Sequence, residues 1–187
     1  MDASTAAAGS APGARPPRRS ATSDEAKALA SPLRIRLLRL CFDEALTNEQ
    51  LAARLDRDPA TVLHHVRTLV RTGFLEPAEP RPGPRGSTER PYRATGKSWT
   101  VEVTDPQYEA RATHAVVDAF VAEAREAAGA DFSHVTRAAL RLSRADLEEL
   151  GFRLQAIIAE YVERPPDPDG EPWAVFLATH RRRLAGD

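Results

Sequence analysis

Apolar residues recur at helical spacing in three short segments between residues 24 and 99, and each segment follows a helix-capping signal. Ser31-Pro32 precedes the first segment, with serine as the N-cap and proline at the first helical position. Thr47–Gln50 forms a capping box before the second segment, and Asp58-Pro59 precedes the third. The last two helices, joined by a tight turn, predict a helix-turn-helix. The buried stripe predicted for its second helix, residues 59–72, is Val62, Val66, Leu69 and Val70.

Two short predicted strands follow the helix-turn-helix and enclose a loop that cannot pack. Gly73 suits the left-handed position after a helix, and residues 74–76 and 91–95 are typical of short strands. The loop between them, residues 77–90, is rich in proline and glycine, as the wing of a winged helix-turn-helix would be. The arginines of this predicted wing are Arg81, Arg85 and Arg90.

The remaining segments have weaker patterns. Residues 1–23 contain mostly Ala, Gly, Pro, Ser and Arg, which predicts a disordered basic tail. Beyond residue 99 the pattern predicts a helix over about 105–128 and a strand over 135–142, although a helix fits that second stretch too. A long helix from Ser143 and a strand over 173–178 complete the chain. A coiled-coil-like face on the long helix is formed by Leu147, Leu150, Leu154, Ile157, Ile158 and Tyr161.

These elements predict a fold that is mainly α with small β (α+β). Residues 1–23 would be the tail, and residues 24–99 the winged helix-turn-helix domain. Residues 100–187 would form a helical or α+β region that serves dimerisation or binds an effector, although either of its long helices could instead simply cover the winged domain.

Charge is distributed unequally along the chain. The formal net charge of the 187 residues is only −1, but residues 1–99 hold 16 Lys and Arg against 11 Asp and Glu. Residues 100–187 hold 10 Lys and Arg against 16 Asp and Glu. Because only the first half is basic, a polyanionic partner is expected for that half alone. The composition, 42% hydrophobic and 28% charged, is that of an ordinary globular protein. Without an apolar run of transmembrane length or an export signal, the expected location is the cytoplasm.

The polar face of residues 59–72 carries groups that suit a DNA groove. Thr61 and His64 can exchange hydrogen bonds with base edges, and arginines can meet phosphates or guanine edges. The N-terminal N–H groups of the helix offer a further phosphate site. The predicted DNA-binding residues of this helix are Ala60, Thr61, Leu63, His64, Arg67, Thr68 and Arg71. Those of the wing are Arg81, Arg85 and Arg90, which are expected to reach the flanking backbone or minor groove.

The run from Leu46 to Glu76 resembles the winged helix-turn-helix of ArsR-like bacterial transcription regulators. The resemblance extends back to Leu29–Arg34 and forward to Tyr92–Ala94, about 70 residues in all. It implies that Thr61-Val62 and the next three positions form the core of the recognition helix. Leu63 and His64 depart from the residues usual in the family, which affects base preference rather than docking. The resemblance also implies a homodimer that represses promoters.

Many ArsR-like proteins sense metals through cysteines in the helix-turn-helix or through paired ligands on a C-terminal helix. Neither pattern occurs here, and the single cysteine, Cys41, is interpreted as a buried structural thiol. His114 and Asp118 stand four residues apart and could form half of an intersubunit site, but surface polar residues are the favoured interpretation. His65 is predicted to pack near the helix interface. No metal or cofactor is therefore expected.

Three hypotheses follow for function. The favoured one is a sequence-specific regulator of transcription, acting as a homodimer on an inverted repeat in double-stranded DNA. The alternative is a winged helix used for protein–protein contact without specific DNA binding, which the retained arginines disfavour. An enzyme is not expected, because no Gly-rich phosphate loop, metal-ligand spacing or nucleophile–base–acid constellation is present.

Overall fold

The computed structural model describes residues 18–127, 129, 132–165 and 167–181, and for Arg85 the backbone only. Most of the predicted tail, residues 1–17, therefore lies outside the described residues. The chain divides into two compact units, Pro17–Val135 and a second unit that contains Thr136–Asp187. Each unit is described by itself below.

Seven α-helices and six short strands are present in the described residues. The helices are α1 (Ser23–Leu29), α2 (Pro32–Asp43), α3 (Asn48–Leu55), α4 (Pro59–Arg71), α5 (Lys97–Thr100), α6 (Pro106–Glu126) and α7 (Arg144–Val162). The strands are β1 (Arg19–Ser20), β2 (Leu75–Pro77), β3 (Arg81–Pro82), β4 (Thr88–Glu89), β5 (Tyr92–Ala94) and β6 (Val101–Glu102). The 3-10 turn Pro84–Gly86 joins β3 to β4.

The strands form three two-stranded sheets. β2 and β5 pair antiparallel, with Leu75 opposite Ala94, and β3 and β4 pair antiparallel as the tip of the wing. β1 pairs parallel with β6, with Arg19 opposite Val101. The chain before α1 is thereby joined to the segment that follows the wing.

The core of the first unit lies between α2, α3, α4 and the base of the wing. Leu37 and Cys41 of α2, Leu51 of α3, and Val62 and Val66 of α4 are all fully buried. The capping boxes fix where these helices begin, since Thr47 accepts from the Gln50 N–H while Gln50 accepts from the Thr47 N–H.

Helix α6 packs against α1 and α2 through an alanine face, Ala112, Ala115 and Ala119. Small side chains allow the helices to approach closely. Two ion pairs support the contact with α2, Arg36 with Glu126 at 2.6 Å and Arg39 with Glu123 at 3.6 Å. A helix assigned from the sequence to the C-terminal region therefore belongs to the same compact unit as the winged helix-turn-helix.

The α+β winged helix-turn-helix fold class is confirmed, but several local predictions are wrong. Order begins before residue 24, because β1 pairs with β6 and the Thr22–Glu25 capping box opens α1. The predicted strands over 135–142 and 173–178 are absent: both segments have no assigned secondary structure and no ladder partner among the described residues, and a lone strand has no hydrogen bonds to hold it. No described helix is both long and apolar enough to cross a membrane.

Candidate nucleic-acid interface

Helix α4 is fixed by its cap and by one fully apolar face. Asp58 accepts from the N–H groups of Ala60 at 2.9 Å and Thr61 at 3.0 Å, and Pro59 occupies the first turn. Its apolar face is buried completely at Val62 and Leu69, mainly against α3, α2 and β2. The orientation of α4 is thus set by core packing, and its opposite face is left for solvent.

The residues predicted to contact DNA lie on this outer face of α4. Thr68 is half-buried and donates its hydroxyl proton to the His64 carbonyl at 3.1 Å, so it serves the helix itself. Leu63 is also half-buried. Within the described residues, no ion-pair partner is present for the guanidinium of Arg67 or Arg71. The exposed members of the set predicted on α4 are Ala60, Thr61, His64, Arg67 and Arg71.

The N-terminus of α4 does not offer the open phosphate site expected from the sequence. The two N–H groups that would meet a phosphate, those of Ala60 and Thr61, are already held by Asp58 Oδ1. A carboxylate there satisfies the helix dipole and repels a second anion. This prediction is wrong because the capping residue is itself an anion.

His64 and His65 have different environments although they are neighbours. His64 is exposed, whereas His65 is half-buried and its Nδ1 lies 3.3 Å from a guanidinium nitrogen of Arg34. Burial lowers the pKa of His65, and the positive charges of Arg34 and His64 lower it further. Arg34 in turn donates to the Ala28 and Lys27 carbonyls at 2.5 and 2.7 Å. His65 thus stands as a neutral packing residue beside Arg34, and His64 stays available to a ligand.

The three wing arginines are not equivalent. Arg81 donates to the Glu89 carboxylate at 2.8 Å and to Gln50 Oε1 at 2.9 Å, and it reaches the Ala45 carbonyl at 3.3 Å. Its guanidinium therefore fastens the wing to the capping box of α3. Arg90 is exposed, and the side chain of Arg85 lies outside the described residues.

A buried ion cluster holds the other end of α4. Glu25 is only 7% exposed and receives two hydrogen bonds from Arg19, at 2.6 and 2.7 Å, and one contact from Lys97 at 2.7 Å. These partners hold the pKa of Glu25 far below its usual range, the bonds from Arg19 contributing most. Lys97 Nζ also donates to the Thr72 carbonyl at 2.5 Å, which caps the end of α4. This cluster links β1, α1 and the end of α4.

Two features of the interface were missed by the sequence reasoning. Arg57 is exposed in the turn before α4. The sequence predicts this turn, but Arg57 is not among the residues predicted to contact DNA. Its position next to a helix N-cap was the available signal. Lys97 gave no signal, because its role depends on residues 25 and 72, which are remote in sequence.

Cys41 and the His114 and Asp118 pair, which the sequence analysis considered as sensor residues, have different environments. Cys41 is fully buried, and burial raises the pKa of its thiol to about 12, which agrees with a structural role. His114 and Asp118 are both exposed on α6. No group of three His, Cys, Asp or Glu side chains among the described residues is arranged to hold a metal ion.

Residues 29–78 match the family model of the helix-turn-helix domain. No curated protein matches the chain. Among solved structures, reduced HlyU from Vibrio cholerae is similar over 47% of this chain and 77% of its own, at 18% identity and a TM-score of 0.31. A possible transcriptional regulator for arsenical resistance is 25% identical over 57% of this chain and 99% of its own, at a TM-score of 0.33. A ZitR variant from Lactococcus lactis is 15% identical over 69% and 73%, at a TM-score of 0.33.

The family model and the observed elements coincide, since residues 29–78 span α2, α3, α4 and β2. The chain therefore carries a helix-turn-helix domain, and the paired strands that follow it complete a winged helix-turn-helix.

Proposed function

We propose that this chain is a sequence-specific, double-stranded-DNA-binding regulator of transcription that acts as a homodimer. Helix α4 would enter the major groove, and the wing, residues 77–90, would lie on the flanking backbone or minor groove. Residues 24–99 would be the DNA-binding part, and the region beyond them would support assembly. The resemblance to ArsR-like proteins favours repression.

One observation carries this proposal: α4 is buried along one face and presents two unpaired arginines on the other. Arg67 and Arg71 stand one turn apart, so both can reach a groove or its flanking phosphates. The small side chain of Ala60 and the hydroxyl of Thr61 allow the first turn to approach base edges. Half-sites of an inverted repeat would lie about one helical turn, 10–10.5 base pairs, apart.

The first experiment is selection of binding sites from a random double-stranded DNA library by the purified full chain. Enrichment of an inverted repeat is the expected result. No retention of DNA at low salt would overturn the proposal. Retention that depends on salt without any enriched motif would overturn sequence specificity and leave only a general DNA binder.

The selected site then allows Arg67→Ala and Arg71→Ala to be compared with a matched control, Arg111→Ala. Arg111 is an exposed arginine on α6, which packs on α1 and α2 instead of forming the helix-turn-helix. A phosphate contact removed at α4 should reduce the slope of log affinity against log salt by about 1, and a base contact should cost about 1–3 kcal/mol at one position of the site. Equal affinities for all three variants would remove α4 from the interface.

A further inference from the structure

The described C-terminal residues expose apolar side chains without a core of their own. The core cluster of buried hydrophobic residues lies wholly within residues 28–101. From residue 136 onward, Ala159 is the one buried residue among those described. A segment this apolar, with so little buried, is incomplete as it stands. Its exposed large hydrophobic residues are Leu140, Leu142, Leu147, Phe152, Ile157, Tyr161, Val162, Trp173, Val175 and Leu177.

Helix α7 gathers part of this apolar surface into a regular seam. Five apolar residues of α7 stand alternately three and four positions apart, which is the heptad pattern of a coiled coil. Leu150 and Leu154 are half-buried, whereas Leu147, Ile157 and Tyr161 are 45%, 53% and 61% exposed. We call this set, Leu147, Leu150, Leu154, Ile157 and Tyr161, the α7 seam.

The charges beside the α7 seam are self-complementary in one arrangement. Arg153 and Glu160 occupy the positions that flank the seam on one side, and their side chains are 73% and 60% exposed. If a second copy of α7 lies antiparallel, with Leu154 on Ile157 of the partner subunit, each Arg153 faces Glu160 of the partner subunit. Two ion pairs then form.

Other arrangements of two α7 helices lack this match. A parallel pair would place Arg153 opposite Ile158 of the partner subunit, without any ion pair. An antiparallel pair shifted by one heptad would bring the two Arg153 side chains together and Asp146 against Glu160 of the partner subunit. Both contacts are repulsive.

Gly151 supplies an independent observation. It lies inside α7, where glycine costs about 1 kcal/mol relative to alanine. A Cβ atom built at Gly151 would meet nothing within 4 Å in its own chain, so no contact there requires a glycine. In the charge-matched antiparallel pair, Gly151 faces Ile158 of the partner subunit, and the missing Cβ gives that side chain room.

We propose that α7 is a dimerisation helix whose partner is the α7 of a second copy, antiparallel and with the Leu154–Ile157 register. This inference deepens the homodimer of the proposed function by naming the helix and its orientation. The α7 seam is then covered, and part of the apolar surface of the C-terminal unit is buried.

A charge-reversal cycle tests the register in the full chain. Arg153→Glu and Glu160→Arg should each weaken dimerisation at least about tenfold, as measured by sedimentation equilibrium, because each replaces two attractive pairs with repulsive ones. The double variant should restore it. An interaction between residues 153 and 160 of the same helix cannot explain this restoration, because they are seven positions apart. Their partners within the helix, Glu149 and Arg164, stay unchanged in every variant. Equal dimer affinity in all four proteins would overturn the proposal, as would a monomeric wild type.

Apolar contact is tested by Ile157→Lys with Phe152→Lys as the matched control. Both residues are exposed on α7, 53% and 67%, but Phe152 stands on the side of the helix away from the α7 seam. Ile157→Lys should disrupt the dimer and Phe152→Lys should not. Circular dichroism checks that α7 stays helical in both. Equal effects of the two variants would contradict a specific seam.

Orientation is tested with a spin label on Glu148→Cys. The antiparallel register places the two labelled positions about 22 Å apart along the helix axis, whereas a parallel pair places them about 10 Å apart. Cys41 is fully buried and needs no replacement. A distance near that of the parallel pair, or the absence of any measurable distance between two labels, would refute this register. DNA binding to a single half-site is measured separately, so a chain that fails to bind DNA but passes the charge-reversal cycle refutes only the proposed function.

Discussion

The ion cluster at Glu25 makes a stability prediction that can be worked out from its geometry. Glu25→Gln keeps the size of the side chain but removes the charge that Arg19 and Lys97 share. Breaking a buried ion pair costs about 3–5 kcal/mol. Arg19 is 53% exposed and keeps much of its hydration, so we expect a loss of about 2–3 kcal/mol at pH 7.

The pH dependence of this loss has a definite sign. The pKa of Glu25 in the folded chain lies well below its ordinary value of 4.5, so its contribution to stability is complete above about pH 4.5. As the pH falls further, the unfolded chain binds a proton at Glu25 before the folded chain does. Each unit below 4.5 therefore removes about 1.4 kcal/mol from the wild type but nothing from Glu25→Gln. The gap between the two proteins should shrink by about 2 kcal/mol between pH 5.5 and pH 3.

Urea unfolding followed by far-ultraviolet circular dichroism at several pH values measures this gap. Other carboxylates titrate in both proteins and cancel in the difference. Glu79→Gln, an exposed residue of the wing, is the matched control and should differ from the wild type by less than about 0.5 kcal/mol at every pH. A gap between wild type and Glu25→Gln that stays constant from pH 7 to pH 3 would refute the depressed pKa and the cluster's contribution.

Three further predictions concern single positions. Because burial raises the pKa of Cys41 to about 12, the thiol should resist alkylation at pH 8 until urea unfolds the chain; rapid labelling of the native protein would contradict its burial. Asp58→Ser keeps an N-cap but removes the anion from the start of α4. The free energy of unfolding should change by less than about 1 kcal/mol, while DNA affinity at low salt should rise. Reduced affinity in DNA titrations would mean that the carboxylate itself contacts the DNA. Gly73→Ala, at φ +73° and with a Cβ 3.2 Å from Lys97 Nζ, should cost about 1–2 kcal/mol of stability in thermal unfolding, and an unchanged melting temperature would show that the turn relaxes.

The helix-turn-helix was predictable because its information is local. The Thr47–Gln50 capping box, Asp58 and Gly73 mark the ends of α3 and α4, and the spacing of apolar residues identifies their buried faces. The same sequence also predicted which face of α4 would be exposed, since burial of one face leaves the other to solvent. The hydrogen bonds of the Arg81 guanidinium to Gln50 and Ala45 were not predictable, because these two partners are more than 30 residues away in sequence.

The region beyond residue 99 was less predictable for a physical reason. The stretches over 135–142 and 173–178 have the apolar content of strands, but a strand requires a neighbour, and composition does not reveal whether one exists. Helix α7 was predicted correctly because the Ser143 capping box and an apolar period of 3.5 are local features. In the proposed dimer, the surface that covers that helix belongs to a second copy of the chain.

The contacts of Arg81 and Lys97 change how the basic charge of the first half should be counted. Both cations are used within the protein, one at the wing and one at the end of α4, so neither is free to neutralise a phosphate. Within the described residues, the exposed arginines on α4, in the turn before it and in the wing (residues 77–90) are Arg57, Arg67, Arg71 and Arg90. Four phosphate contacts from each of two protomers would give a slope of log affinity against log salt of about −7. A slope well beyond that value would require further cations, and the arginines outside the described side chains, at residues 15 and 85, would be the next to substitute.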